Sequence, residues 1–287
     1  MLVVDQLASQ IHIFFGDGLG NFPNTQTLAT GRNHGESVVA DFNEDGYPDI
    51  VHAQPDASKL QRITGSESGQ FSVLGTIDQV NTPRSLGALD YDGDGHQDLV
   101  IYLFHQSCLA VRLGDGSFGF GDSTCVLTVP QTYVHSFNVF DYDGDGQKEL
   151  VEYTTGGVQI LSRGENGFTE IATIEATEAA GKVFGSPHDY DGDGTDDLLL
   201  CNGTREVIEI FSRQGVKLCE VPYGVYGGVR YCGRQDFNHD GQLDFWHRAE
   251  ASGGPLYLHI STPKAACDDL CIAARCGNGT VDEGEQC

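Results

Sequence analysis

Aspartate at alternating positions of a short, glycine-punctuated loop is the chemistry written most often into this chain. Five segments align without gaps: Asp41-Phe-Asn-Glu-Asp-Gly-Tyr-Pro-Asp49, Asp90-Tyr-Asp-Gly-Asp-Gly-His-Gln-Asp98, Asp141-Tyr-Asp-Gly-Asp-Gly-Gln-Lys-Glu149, Asp189-Tyr-Asp-Gly-Asp-Gly-Thr-Asp-Asp197 and Asp236-Phe-Asn-His-Asp-Gly-Gln-Leu-Asp244. Positions 1, 3, 5 and 9 carry only Asp, Asn or Glu. These are hard oxygen donors, and calcium, a hard cation, takes six to eight oxygens at about 2.3–2.6 Å. Position 7 varies freely, as expected of a residue that offers only its backbone carbonyl. Position 6 is always Gly, which reaches the positive φ of a sharp turn without steric cost. The expected calcium ligands are therefore Asp41, Asn43, Asp45, Tyr47 and Asp49; Asp90, Asp92, Asp94, His96 and Asp98; Asp141, Asp143, Asp145, Gln147 and Glu149; Asp189, Asp191, Asp193, Thr195 and Asp197; and Asp236, Asn238, Asp240, Gln242 and Asp244.

Two blander readings compete. Asp-Gly and Asn-Gly pairs make ordinary β-turns, but turn formation alone does not demand an oxygen donor at four fixed positions in five copies. Eighteen of the 42 acidic residues stand at those positions, and such crowding is repulsive without a counter-cation. An EF-hand loop begins similarly but needs a bidentate Glu at position 12 and flanking helices. Position 12 is His52, Ile101, Glu152, Leu200 and His247, so four of the five loops lack the Glu, and their flanks read as β.

No other constellation carries a reaction. There is no HExxH, and Gly65-Ser-Glu-Ser-Gly69 places Glu where a nucleophilic serine elbow needs Ser. Gly16-Asp-Gly-Leu-Gly20 is followed by no helix, so it is not a dinucleotide fingerprint. No nucleophile stands with a base, and the chain is expected not to be an enzyme. A net charge of -26 excludes nucleic acid as a partner, because that needs a basic footprint. No run approaches the eighteen or so apolar residues of a membrane span, so membrane insertion is not expected.

The loops imply elements to hold them. Their starts lie 49, 51, 48 and 47 residues apart, a period of propellers or solenoids. Between them recurs a Gly-rich turn ending in Phe: Gly16 to Phe22, Gly65 to Phe71, Gly114 to Phe118 and Gly164 to Phe168. Short apolar runs bounded by Gly, Asp and Asn read as strands; only 174–182 is helix-friendly. Each unit reads as strand, acidic loop, strand, strand, Gly turn, strand, the content of one propeller blade. The expected fold is all-β, a propeller of about six four-stranded blades over 1–262, incomplete at both ends, with a truncated Cys-rich tail over 263–287. Nine Cys in a loop-rich chain point to an oxidising compartment. Cys108 with Cys125 and Cys201 with Cys219 are expected to bridge neighbouring strands, while Cys232, Cys267, Cys271, Cys276 and Cys287 are left unassigned.

At the carboxylate loops the sequence resembles the FG-GAP, or VCBS, repeats of integrin α-subunit propellers and bacterial exported proteins. Phe184-Gly185 before the fourth loop, and Ala53-Gln54-Pro55 where Gly-Ala-Pro would follow the first, add to the likeness. The resemblance implies a propeller, commonly seven-bladed, with calcium between the first two strands of a blade. Cys276-Gly-Asn-Gly with Gly-Glu-Gln-Cys287 looks like the opening of a Cys-rich repeat of myxobacterial surface proteins. These features imply a secreted or cell-surface module for adhesion or protein interaction, taking a protein or glycan ligand. A lectin, using Tyr223, Tyr226 and Tyr231, is the alternative, as is the non-catalytic part of a secreted hydrolase or lyase.

Overall fold

The computed structural model describes residues 2–5, 9–19, 21–31, 35–78, 80–129, 136–154, 157–164, 167–174, 189, 195–202, 207–222, 229–235, 244–249 and 256–259. Among them the regular elements are strands and two single-turn 3₁₀ segments, with no α-helix. The strands pair into six antiparallel sheets. The first holds β1 (Leu2–Asp5), β2 (Gln10–Phe15) and β3 (Asn24–Ala29). The second holds β4 (Ser37–Ala40), β5 (Asp49–Gln54), β6 (Lys59–Thr64) and β7 (Ser72–Ile77). The third holds β8 (Pro83–Leu89), β9 (Asp98–Leu103), β10 (Cys108–Arg112) and β11 (Thr124–Thr128). The fourth holds β12 (Ser136–Phe140), β13 (Glu149–Thr154), β14 (Gly157–Gly164) and β15 (Gly167–Ile174). The fifth holds β16 (Leu198–Asn202), β17 (Val207–Phe211) and β18 (Lys217–Pro222), and the sixth β19 (Val229–Gln235), β20 (Asp244–Ala249) and β21 (Leu256–His259).

Every strand pairs with its neighbour in sequence, so each fifty-residue unit folds into its own meander. The acidic loops that begin at Asp41, Asp90, Asp141 and Asp236 each join the first strand of a blade to the second. The first strands β4, β8 and β12 lie beside one another, so successive blades stack face to face. That stacking explains the short, unbroken apolar runs. A second strand inside a blade is covered on both faces, and all six residues of β5 and of β9 are buried. Alternate residues then serve opposite seams. Leu99 and Ile101 pack with Val51 and Leu60 of the second blade, whereas Val100 and Tyr102 pack with Phe137 and Leu150 of the fourth. Burying one such aliphatic side chain fully is worth about 1.5–3 kcal/mol. The core is therefore a series of seams between blades.

One seam carries an uncompensated acid. Glu152 shares the Leu150 face of β13 and meets Tyr102 from the third blade. Both are buried, and Glu152 Oε1 and the Tyr102 hydroxyl have no hydrogen-bond partner among the described residues. Desolvation pushes the Glu152 carboxyl up to about 7. It also raises the Tyr102 hydroxyl, with the Glu152 charge adding to the shift.

Cys108 and Cys125 form a disulfide with Cα atoms 5.9 Å apart, on the adjacent strands β10 and β11. The expected Cys201–Cys219 bridge is corrected by the register. Cys201 pairs with Ile208 and Cys219 with Ile210, so the two cysteines flank β17 from opposite sides. Two interstrand spacings of about 4.8 Å exceed the Cα separation of about 7 Å that a disulfide spans. The cause is placement one strand early: Cys108 stands on the third strand of its blade, Cys201 on the second. Ile174 ends β15; the rest of the helix-friendly stretch, the boundary at 262 and the Cys-rich tail lie outside the described residues.

Candidate metal centre

The three loops described throughout (41–49, 90–98 and 141–149) fold alike because each acidic side chain accepts a nearby backbone N–H. Position 1 accepts two: Gly93 and Gly95 donate to Asp90 at 2.7 and 3.0 Å, Gly144 and Gly146 to Asp141 at 2.7 and 3.0 Å, and Asp45 and Gly46 to Asp41 at 3.2 and 2.9 Å. Position 3 accepts from position 5 at 3.1–3.2 Å, and position 5 from position 7 at 2.7–2.9 Å. Such side-chain turns are what Asp and Asn favour. Position 6 has φ of +87°, +93° and +90° at Gly46, Gly95 and Gly146.

Position 9 opens the second strand and is fully buried at Asp49, Asp98 and Glu149. Its carboxylate ties the loop shut by accepting the N–H of position 2: Phe42 at 3.1 Å, Tyr91 at 2.6 Å and Tyr142 at 2.8 Å. Asp49 and Asp98 accept a second N–H from the Gly-rich turn, from Gly65 at 2.9 Å and Gly114 at 2.7 Å. A Cβ on Gly65 would sit 2.1 Å from the Pro48 carbonyl oxygen, and one on Gly114 2.3 Å from that of Gln97. The first glycine of the turn is thus required by close approach to the loop. Burial pushes the Asp49, Asp98 and Glu149 carboxyls above their ordinary range, against the pull of these donors.

Carboxylate oxygens of Asp90, Asp92 and Asp94 all lie within 4.8 Å of one another, as do those of Asp141, Asp143 and Glu149. Oxygens on opposite sides of one calcium are about 5 Å apart, twice the calcium–oxygen distance, so each trio fits a single ion. In the loop from Asp41, Asn43 turns its amide to Asp45 Oδ2 at 3.0 Å. Of the fourth loop, Asp189, Thr195 and buried Asp197 are described; of the fifth, Asp244 at the start of β20. Asp191, Asp193, Asp236, Asn238, Asp240 and Gln242 lie outside the described residues.

In the three loops described throughout, the aromatic residue at position 2 anchors the loop to the next blade. Phe42 stacks on Phe118 at 5.2 Å, Tyr91 meets Phe168 at 5.5 Å, and the Tyr142 hydroxyl donates to the Arg213 carbonyl. Phe118 and Phe168, which end their Gly-rich turns, are thus seam residues. Position 4 was not singled out by the sequence pattern, yet its backbone is left-handed at Glu44, Gly93 and Gly144, with φ of +59°, +80° and +74°. Its signal was Gly in three of the five copies.

A family model of FG-GAP-like repeats matches residues 41–101 and 90–152. The human T-cell immunomodulatory protein is 25% identical over 144 residues, which are 48% of this chain and 23% of that protein; the chain thus spans about a quarter of this relative. Among solved structures, an Agrocybe aegerita lectin that recognises non-reducing terminal N-acetylglucosamine aligns with a TM-score of 0.55 at 16% identity, covering 87% of this chain and 72% of that one. Virginiamycin B lyase from Staphylococcus aureus aligns with a TM-score of 0.53 at 12% identity, covering 92% and 81%. These likenesses show the fold alone, an all-β array of propeller-like blades. Residues 41–101 and 90–152, each with an acidic loop between a first and a second strand, are thus FG-GAP-like repeats.

Proposed function

We propose that this chain is a calcium-stabilised, non-enzymatic binding module of a secreted or cell-surface protein. The observation that supports it is the convergence of three acidic side chains in each of two consecutive loops, at spacings one calcium ion satisfies. Asp90, Asp92, Asp94 and Asp98, with Asp141, Asp143, Asp145 and Glu149, would hold the ions, position 7 adding a backbone oxygen. Calcium supplies charge that neutralises the crowded carboxylates, and the chain's own residues supply the fixed cage. Affinity is expected on the order of 0.1–1 mM, the extracellular range. Native mass spectrometry in calcium should show several ions per chain, and Asp94→Ala should remove one while leaving the rest. One ion or none in the parent protein refutes the reading.

Glycan binding is the second reading. An open concavity of about 450 Å³ lies between the second and third loops, lined by Tyr91, Gln147, Arg163 and Gly164. A ring face, an amide and a guanidinium suit a neutral polyhydroxylated ring better than an anion, given the acidic loops on either side. The likeness to a lectin fold is compatible with this use. A glycan array read with calcium present should retain defined glycans uncleaved. Silence across the array would leave a protein ligand as the partner, and cleavage would overturn the non-enzymatic reading.

A further inference from the structure

The seams differ at one register position in a way that tracks the acidic loops. Opposite the residue that follows position 9 stand Ile63, Arg112, Leu161 and Phe211 on successive third strands. Two residues further along come Gly65, Gly114, Arg163 and Arg213. The side chains of Arg163 and Arg213 reach back to the loop of the preceding blade. Arg163 Nη2 donates to the Asp92 carbonyl at 2.9 Å, and its guanidinium lies 5.6 Å from the centre of the Tyr91 ring. A Cβ on Gly93 would sit 3.3 Å from Arg163 Nη1, and one on Gly144 3.2 Å from Arg213 Nη1. Each arginine therefore lies against the glycine at position 4 of the neighbouring loop.

The seam between the second and third blades is built the other way round. There the register position holds Gly114, and position 4 of the preceding loop holds Glu44, not Gly. Glu44 fills the gap and meets His96 Nδ1 of the next loop at 2.5 Å. Large side chain and glycine have exchanged places across the seam. The space beside position 4 is filled in all three cases, twice by a cation from the following blade.

We propose that Arg163 and Arg213 are positioning residues that make calcium occupancy of one blade's loop control the docking of the next blade. The inference rests on the calcium reading above. The Asp92 carbonyl belongs to a loop residue whose side chain belongs to the acid trio, so the arginine and the ion grip the same turn from opposite sides. Ordering that turn by an ion orders the acceptor to which Arg163 donates, and with it the end of β14. Arg213, two residues past the end of β17, lies against Gly144 of loop 141–149, and its backbone carbonyl accepts the Tyr142 hydroxyl.

Hydrogen exchange of the full chain, with calcium and with chelator, tests this blade by blade. In the parent protein calcium should slow exchange by roughly tenfold or more in loop 90–98 and also at the β14–β15 turn. In Arg163→Ala the loop should remain protected by calcium while the β14–β15 turn loses its calcium response. The seam at Arg213 should be unaffected, and Arg213→Ala should give the converse. Arg163→Lys keeps the charge but not the fork of donors, and should restore the response only in part. A merely structural arginine would raise exchange equally with and without the ion. If calcium protects the loop but never the turn, or the turn still responds in Arg163→Ala, the coupling is overturned. If calcium does not protect the loop itself, the calcium reading falls, and this inference with it.

Discussion

Returning calcium to chelator-treated protein, to about 10 mM, is expected to raise its melting temperature by roughly 5–20 °C. An ion that binds only the folded state stabilises it by mass action, by about 1.4–2.7 kcal/mol at the ten- to hundredfold excess over Kd expected here. The two loops whose acids converge would together contribute about 3–5 kcal/mol on this basis. A chain of this size gains roughly 2–4 °C per kcal/mol. The gain has a local cause. Asp90, Asp92 and Asp94, and likewise Asp141, Asp143 and Glu149, are held within 4.8 Å of one another, and the fold bears their repulsion until a cation compensates it. The loops also lie on the seams, through Phe42 on Phe118 and Tyr91 on Phe168, so ordering them supports more than one blade. Differential scanning calorimetry in calcium, magnesium and EDTA measures the effect. An unchanged melting temperature in calcium would refute a stabilising role for the loops.

The second large effect is expected at Glu152. Its carboxyl is desolvated in the seam and titrates at about 7 against an ordinary value of 4.5. Between pH 4.5 and 7 the folded state therefore keeps a proton that the unfolded chain has released. Stability contributed by this group is full below pH 4.5, falls as pH rises to about 7, and stays lost above it. The difference amounts to about 3 kcal/mol, from roughly 1.4 kcal/mol per pH unit. Glu152→Gln keeps the shape and removes the titration. It should be more stable than the parent by about 2–3 kcal/mol at pH 8, and nearly equal to it at pH 4.5. Asp49, Asp98 and Glu149 are also raised by burial in the ion-free protein, so they tilt the pH profile the same way. The difference between variant and parent in chelator isolates Glu152. A stability difference that does not change with pH would show that Glu152 is charged or solvated in the fold.

The amino-acid sequence by itself determined the loops. The turn geometry, with glycine at position 6 and oxygen-bearing side chains at positions 1, 3, 5 and 9, was legible because the hydrogen bonds that shape a loop span seven residues or fewer, as from Tyr91 to Asp98. The blade content was legible for the same reason: each meander closes within one repeat, and the turn glycines and short apolar runs mark its strands.

What lay between blades was decided only by the tertiary structure. Arg163 meets Asp92 across 71 residues, and Glu44 meets His96 across 52; no local pattern encodes which neighbour a long side chain will reach. Cys201 misled for a related reason. Its distance in sequence from Cys219 resembled that of a bridged pair, but strand register put β17 between them. Glu152 stands at position 12 of its loop, the one copy with the Glu that an EF-hand would place there. Only the stacking of the third blade on the fourth showed what it is instead, a buried acid facing Tyr102 in an apolar seam. Local hydrogen bonding and alternation are written residue by residue. Seam contacts depend on how separately folded meanders stack, and that stacking sets both which acids are desolvated and which arginines reach a loop.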